Sequence, residues 1–178
     1  MLPGAARIGG WAHRGGSSGS TTYTLAMARL LLIDDEETVL AAVRRRLERD
    51  GHKVDLAPNA QAGCEMIEAA ERPYDVIVTD MSMEEPDAGL RVLHAAFARD
   101  LFAEVIVMTA YGNVANAVEC MRRGAFDYIE KNAPGVDVYD LLAIKVDHAL
   151  ERRRQDVRTV QTWERVAKAK ERESARRE

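Results

Sequence analysis

Along this chain, short runs that are apolar at every position alternate with longer segments whose apolar residues recur at three- and four-residue spacing. The runs Leu30-Leu31-Leu32-Ile33, Val76-Ile77-Val78 and Val105-Ile106-Val107-Met108 have no polar face, the pattern of strands buried on both sides. Two less uniform strands are expected at residues 53–56 and 125–130. Helical spacing places Val39, Leu40, Val43 and Leu47 on one face of residues 36–50, and Met66, Ile67 and Ala70 on one face of residues 60–71, with Gly63 a turn earlier. Leu90, Leu93 and Phe97 mark a helix ending near Arg99, and Val114, Ala117, Val118 and Met121 are the expected buried face of residues 113–123. A last helix starts near Asp137 with Val138, Leu141, Leu142, Val146 and Leu150 as its stripe. Strand and helix thus alternate five times, which predicts an α/β fold with a five-stranded parallel sheet and right-handed crossover helices.

The strands also end alike. The first stops on Asp34-Asp35, the third on Asp80, the fourth on Thr109 and the fifth on Lys131. Ligands of open parallel sheets sit beyond the carboxyl edge of the strands, so three aspartates, a hydroxyl and an amine are expected to meet there.

Composition narrows the classes. The 178-residue chain carries a net charge of −4, unevenly spread: residues 29–150 hold 13 basic and 23 acidic side chains, residues 151–178 hold 10 and 6. An acidic globular part argues against direct nucleic-acid binding there. No apolar run approaches the ~18 residues of a membrane span. Cys64 and Cys120 fall on separate helices with no CxxC, and read as small hydrophobes in a reducing compartment, which suits the cytoplasm. His13, His52, His94 and His148 show no ligand spacing. Residues 1–26 contain Gly9-Gly10 and Gly15-Gly16-Ser17-Ser18-Gly19-Ser20 and no acidic residue; they are expected to be a disordered leader, with Met27 a candidate start.

Four motifs, in order, carry a resemblance. Leu32-Ile33-Asp34-Asp35-Glu36, Val78-Thr79-Asp80, Met108-Thr109-Ala110-Tyr111-Gly112 and Gly124-Ala125-Phe126-Asp127-Tyr128-Ile129-Glu130-Lys131 are similar to the receiver domain of bacterial two-component response regulators. The resemblance covers residues 28–153, leaving 154–178 as a charged helical extension. It implies a flavodoxin-like, doubly wound sheet of order 2-1-3-4-5. It also implies Mg2+ held by Asp34, Asp35, Asp80 and the backbone carbonyl of Ser82, and transfer to Asp80 from a phosphohistidine on a sensor histidine kinase or phosphotransfer protein. Tyr128 takes the family's aromatic switch position, working with Thr109.

The residue types support such chemistry on their own. Three converging carboxylates repel one another and are costly to keep ionised without a cation, and a hard divalent ion such as Mg2+ suits oxygen donors. If Asp80 attacks a phosphoryl group, the Lys131 amine and the Thr109 hydroxyl can take two of its oxygens, with no general base required. Each residue also has an ordinary reading. Asp34 and Asp35 suit the N-cap of the first helix, Thr109 a strand end, Lys131 a surface cation, and Tyr128 a β-former. Arg44, Arg45, Arg46 and Arg49 suit a solvated helix end.

Two positions depart from the family pattern. The connection from Asp80 to Gly89 is one residue longer, which leaves the register around Ser82 open. Lys131 is followed by Asn132 in place of the usual proline, so a trans bond is expected there. Beyond Leu150 the chain is rich in Glu, Arg, Lys and Ala without proline or glycine, consistent with a continued helix. Val146, Leu150, Val157, Val160 and Ala167 trace a heptad-like stripe broken by Arg153 and Glu164, so a homodimer or a docked partner competes with a solvated helix. Trp163 has most to gain from a partner. The expected function is a phosphorylatable receiver that signals by protein–protein contact and is not an enzyme of general turnover. The alternatives are the regulatory part of a longer transcription regulator and a Mg2+-dependent aspartyl phosphohydrolase.

Overall fold

The structure, a computed structural model, describes residues 27–110 and 114–176. The expected leader and Tyr111-Gly112 lie outside the described residues. Strands β1 (Arg29–Ile33), β2 (Lys53–Ala57), β3 (Val76–Asp80), β4 (Glu104–Thr109) and β5 (Asp127–Glu130) form one parallel sheet in the order β2-β1-β3-β4-β5. Helices α1 (Glu37–Arg49), α2 (Ala60–Ala69), α3 (Ala88–Arg99), α4 (Val114–Arg122) and α5 (Val138–Ser174) connect and flank them.

The two-residue alternation of the strands divides the core between the faces. Leu31, Ile33, Ile77, Val105 and Val107 face the cluster that also holds Ala60 and Ile67 of α2, Val92 and Ala96 of α3, and Cys120 of α4. Leu30, Leu32, Val76, Val78, Ile106 and Met108 face the cluster built on Leu40, Val43 and Leu47 of α1 and on Leu142, Val146 and Ala149 of α5. Both faces are therefore covered, as the unbroken apolar runs require. Gly63 seats α2 directly on β1, since a Cβ there would lie 2.4 Å from Ile33 Cδ1. Gly124 ends the unit before β5 at φ +96°, a conformation other residues rarely adopt.

Two helix faces differ from the spacing-based expectation. In α4, Val118 and Met121 are 49% and 47% exposed, whereas Cys120 is fully buried with its Sγ 3.9 Å from Met81 Sδ. This nine-residue helix presents Cys120 to the core under the sheet, and Val118 and Met121 fall outside the contact. In α3 the innermost residues are Ala88, Gly89, Val92, Leu93 and Ala96, with Leu90 and Phe97 at the margin; close helix–sheet approach favours the small side chains.

Helix α5 is continuous over 37 residues, through the expected boundary at 153–154. It is fastened to the amino-terminal edge of the sheet by Arg152, which donates two hydrogen bonds to the buried Glu104. Arg153 pairs with Asp100 at 2.6 Å and Asp75 at 3.5 Å and donates to the Phe102 carbonyl. From Arg158 to Arg176 every residue is exposed, with Trp163 at 69%. Among the described residues no helix is long and apolar enough to cross a membrane.

Candidate functional site

Strand register brings the site together. β1 and β3 run side by side with Ile33 opposite Thr79, so Asp34 and Asp80 leave the sheet as neighbours. Asp80 pairs with Met108 on β4, one residue before Thr109, which pairs with Glu130 on β5, one residue before Lys131. The Lys131 backbone N–H donates to the Thr109 carbonyl at 2.7 Å, fixing the two strand ends together. Asp34, Asp80 and Thr109 are buried. Gly89 permits this packing: a Cβ there would lie 2.8 Å from the Asp80 carbonyl oxygen and 2.9 Å from Met81 Cα.

One ammonium faces several acids. Lys131 Nζ lies 2.8 Å from Asp34 Oδ2, 3.3 Å from Asp80 Oδ2 and 3.2 Å from Glu36 Oε1. Asp80 Oδ1 accepts the Met81 N–H at 2.8 Å, and Asp34 Oδ1 accepts the Glu36 N–H at 2.9 Å. Asp34 Oδ2, despite its short approach to Lys131, has no well-aligned hydrogen-bond donor and is buried. Burial pushes the Asp80 carboxyl up; Asp34 adds to this, Lys131 opposes it, and the net direction is upward. Burial pulls the Lys131 ammonium down, but its contacts with Asp34, Asp80 and Glu36 outweigh it, so the group stays charged above its usual range.

Asp34, Asp35 and Asp80 each offer a carboxylate oxygen within 4.8 Å of the others, two of them buried and one exposed. The donors are all hard oxygens, and the buried Asp34 and Asp80 carboxylates share one ammonium, so the acids outnumber the cation that faces them. A small divalent cation fits both facts. The N-cap reading of the aspartates does not hold: the cap of α1 is Glu36, and no side chain caps the helix.

The remaining candidates lie at the periphery or to one side. Ser82 is exposed, and its hydroxyl donates to the Pro86 carbonyl at 3.2 Å. The longer connection around it is held by Arg91, which pairs with Glu84 and Glu85. Tyr128 packs against the α2–α4 face of the core, and its hydroxyl is buried with no hydrogen-bond partner among the described residues. Sequence reasoning gave no site role to Glu36, named there only within the first motif, or to the Asn132 side chain, which donates to the Ala110 carbonyl at 3.0 Å. The signal for Glu36 was a single lysine expected among clustered acids. No cis peptide occurs among the described residues, so the bond after Lys131 is trans.

Comparison with known proteins agrees with this geometry. The model of the response regulator receiver domain matches residues 30–143. The photosynthetic apparatus regulatory protein RegA of Rhodobacter capsulatus is 34% identical over 116 residues, 65% of this chain and 61% of RegA. The regulatory protein AtoC of Escherichia coli is 34% identical over 106 residues, 60% of this chain but 22% of AtoC. The chain therefore spans less than two thirds of either relative. A receiver domain structure from Clostridium thermocellum superposes with a TM-score of 0.65 at 30% identity, covering 72% of this chain and 98% of that one. With strand order, strand-end residues and family model in agreement, this chain belongs to the response regulator receiver domains, a family that generally binds Mg2+ at an acidic pocket of this kind.

Proposed function

We propose that Asp80 accepts a phosphoryl group from a phosphohistidine on a sensor histidine kinase or phosphotransfer protein in the cytoplasm. The observation that carries this reading is the convergence of three carboxylates and one ammonium, with Lys131 Nζ 3.3 Å from Asp80 Oδ2. In the transfer, an Asp80 carboxylate oxygen forms the new O–P bond as the P–N bond to the imidazole breaks, and the released imidazole takes a proton from solvent. Lys131 neutralises one phosphoryl oxygen, and the Thr109 hydroxyl donates to another. Asp34, Asp35, Asp80 and the Ser82 backbone carbonyl would hold Mg2+, which when bound screens the incoming charge and orients a phosphoryl oxygen.

Thr109, drawn toward the new phosphoryl group, would carry the start of the β4–α4 connection with it. Tyr128 would respond, because its buried hydroxyl lacks a described partner and gains from any rearrangement that supplies one. The signal would then reach a downstream protein through the half-exposed apolar residues of α4, among them Val118 and Met121.

Output through an effector segment of a longer regulator is a second reading, supported by the greater length of RegA and AtoC beyond the matched part. The phosphohydrolase reading needs a second acid two residues after Asp80. Ser82 stands there and is engaged with Pro86. Mass spectrometry after acetyl phosphate and Mg2+ tests the main reading: one phosphoryl adduct is expected, absent in Asp80→Asn. An unmodified wild-type chain, or an adduct that persists in the variant, overturns it. Multiple turnovers of an aryl phosphate would instead support the hydrolase.

A further inference from the structure

Two consecutive residues after β5 hold two consecutive carbonyls at the end of β4, those of Thr109 and Ala110. The first tie, Lys131 N–H to the Thr109 carbonyl at 2.7 Å, is a backbone bond that almost any residue would make. The second, Asn132 Nδ2 to the Ala110 carbonyl at 3.0 Å, is not. It needs a side-chain donor of this reach at position 132, and it continues the strand pairing past the last paired residues, Thr109 and Glu130. The segments it joins carry the two groups proposed above to hold the phosphoryl oxygens, the Lys131 amine and the Thr109 hydroxyl. The three carboxylates stand on other segments, Asp80 at the end of β3 and Asp34 and Asp35 on the two residues after β1.

We infer that Asn132 is a positioning residue for phosphoryl transfer: its amide locks the β5–α5 connection to the β4–α4 connection, so that Lys131 and Thr109 meet the phosphoryl group in fixed relation. The inference rests on the acceptor role proposed for Asp80. Without the amide the lysine end of the site keeps its charge and its contacts with Asp34 and Glu36. Its alignment with Thr109 then depends on the single backbone bond. Loss of alignment weakens whatever needs both groups together and spares whatever needs the carboxylates alone.

The test uses the full chain with Asn132→Ala and Asn132→Leu, which both remove the donor without adding charge; leucine also keeps the volume. The expected result is a phosphorylation rate with acetyl phosphate and Mg2+ lowered about fivefold in both variants, the scale of one exposed hydrogen bond. Beryllofluoride affinity is expected to fall by a similar factor, while Mg2+ affinity by calorimetry stays at the wild-type value and the melting temperature falls by no more than the few degrees that one hydrogen bond is worth. Wild-type phosphorylation rates in both variants, with Asp80→Asn inert, overturn the Asn132 inference alone. A parallel loss of Mg2+ affinity overturns it too, because the residue would then support the whole edge. A wild-type chain that takes up no phosphoryl group, or takes it up as readily as Asp80→Asn, removes the acceptor reading and this inference with it.

Discussion

At the amino-terminal edge of the sheet the acids are met by arginines, whereas at the carboxyl edge Asp34, Glu36 and Asp80 stand around one lysine, with Asp35 beside the two aspartates. Asp55 takes Arg29 at 2.9 Å and the Tyr74 hydroxyl at 3.0 Å, Asp100 takes Arg153, and Glu104 takes Arg152, whose guanidinium also stacks 4.6 Å over the Phe126 ring. Arg29 lies 4.1 Å over Tyr74, and the Tyr74 phenol is pushed up to about 12 by burial and the Asp55 carboxylate. Matched charge of this kind fastens α5 and leaves little for a ligand to do. The carboxyl edge is under-compensated, with a buried acid oxygen that has no aligned donor and an Asp80 carboxyl held above its usual range. The same strands thus end in a structural clamp on one side and a site with spare negative charge on the other.

Breaking the clamp gives the largest expected effect. Arg152→Ala leaves Glu104 buried without its cation, and urea denaturation should show a loss of about 2 to 3 kcal/mol, below the ~3–5 of a fully enclosed pair because Arg152 is half exposed. The opposite sign is expected across the sheet. Asp80→Asn removes a buried carboxylate that faces Asp34, so in metal-free buffer the variant should unfold about 1 kcal/mol later than wild type. An equal loss of stability in both variants would erase the contrast between the edges.

The smallest effect sharpens the picture of the clamp. His52 lies buried between α1, β2 and α5, with its Nε2 4.0 Å from Asp147 Oδ1. Burial pulls the imidazole below its usual value, opposed by Asp147, Asp50 and Asp75 and aided by Arg154. The folded chain therefore binds fewer protons than the unfolded chain once the pH falls below ~6.5, and stability declines from there until the lowered folded value is passed. A small decline that vanishes in His52→Gln is expected in denaturant melts as the pH falls through that range.

Much of the carboxyl edge was legible because β1, β3 and β4 are apolar runs that stop abruptly on polar residues, and parallel order puts those stops on one side. Asp34, Asp80, Thr109 and Lys131 could be named in this way, and the sheet order followed from the family resemblance. The clamp was not legible. Arg29, Asp55, Asp75, Asp100, Glu104, Arg152 and Arg153 each look like ordinary surface charges, and only the fold reveals that they share an edge. The buried face of α4 failed for a different reason. Hydrophobicity favoured Val118 and Met121 over Cys120, but a short helix seats its small residue against the sheet and leaves the larger ones outside. Asn132 was legible only as a replacement for proline; its tie to the Ala110 carbonyl was not, because a polar side chain in a connecting loop gives no pattern from which to read a partner.

The central claim is that the acids of the carboxyl edge are there to share one cation, and Mg2+ titration calorimetry on wild type and Asp34→Asn tests it most directly. A single Mg2+ site in the wild-type chain, lost or weakened at least tenfold in the variant, is the predicted result. No Mg2+ binding by the wild type, or equal affinity in the two chains, would contradict it.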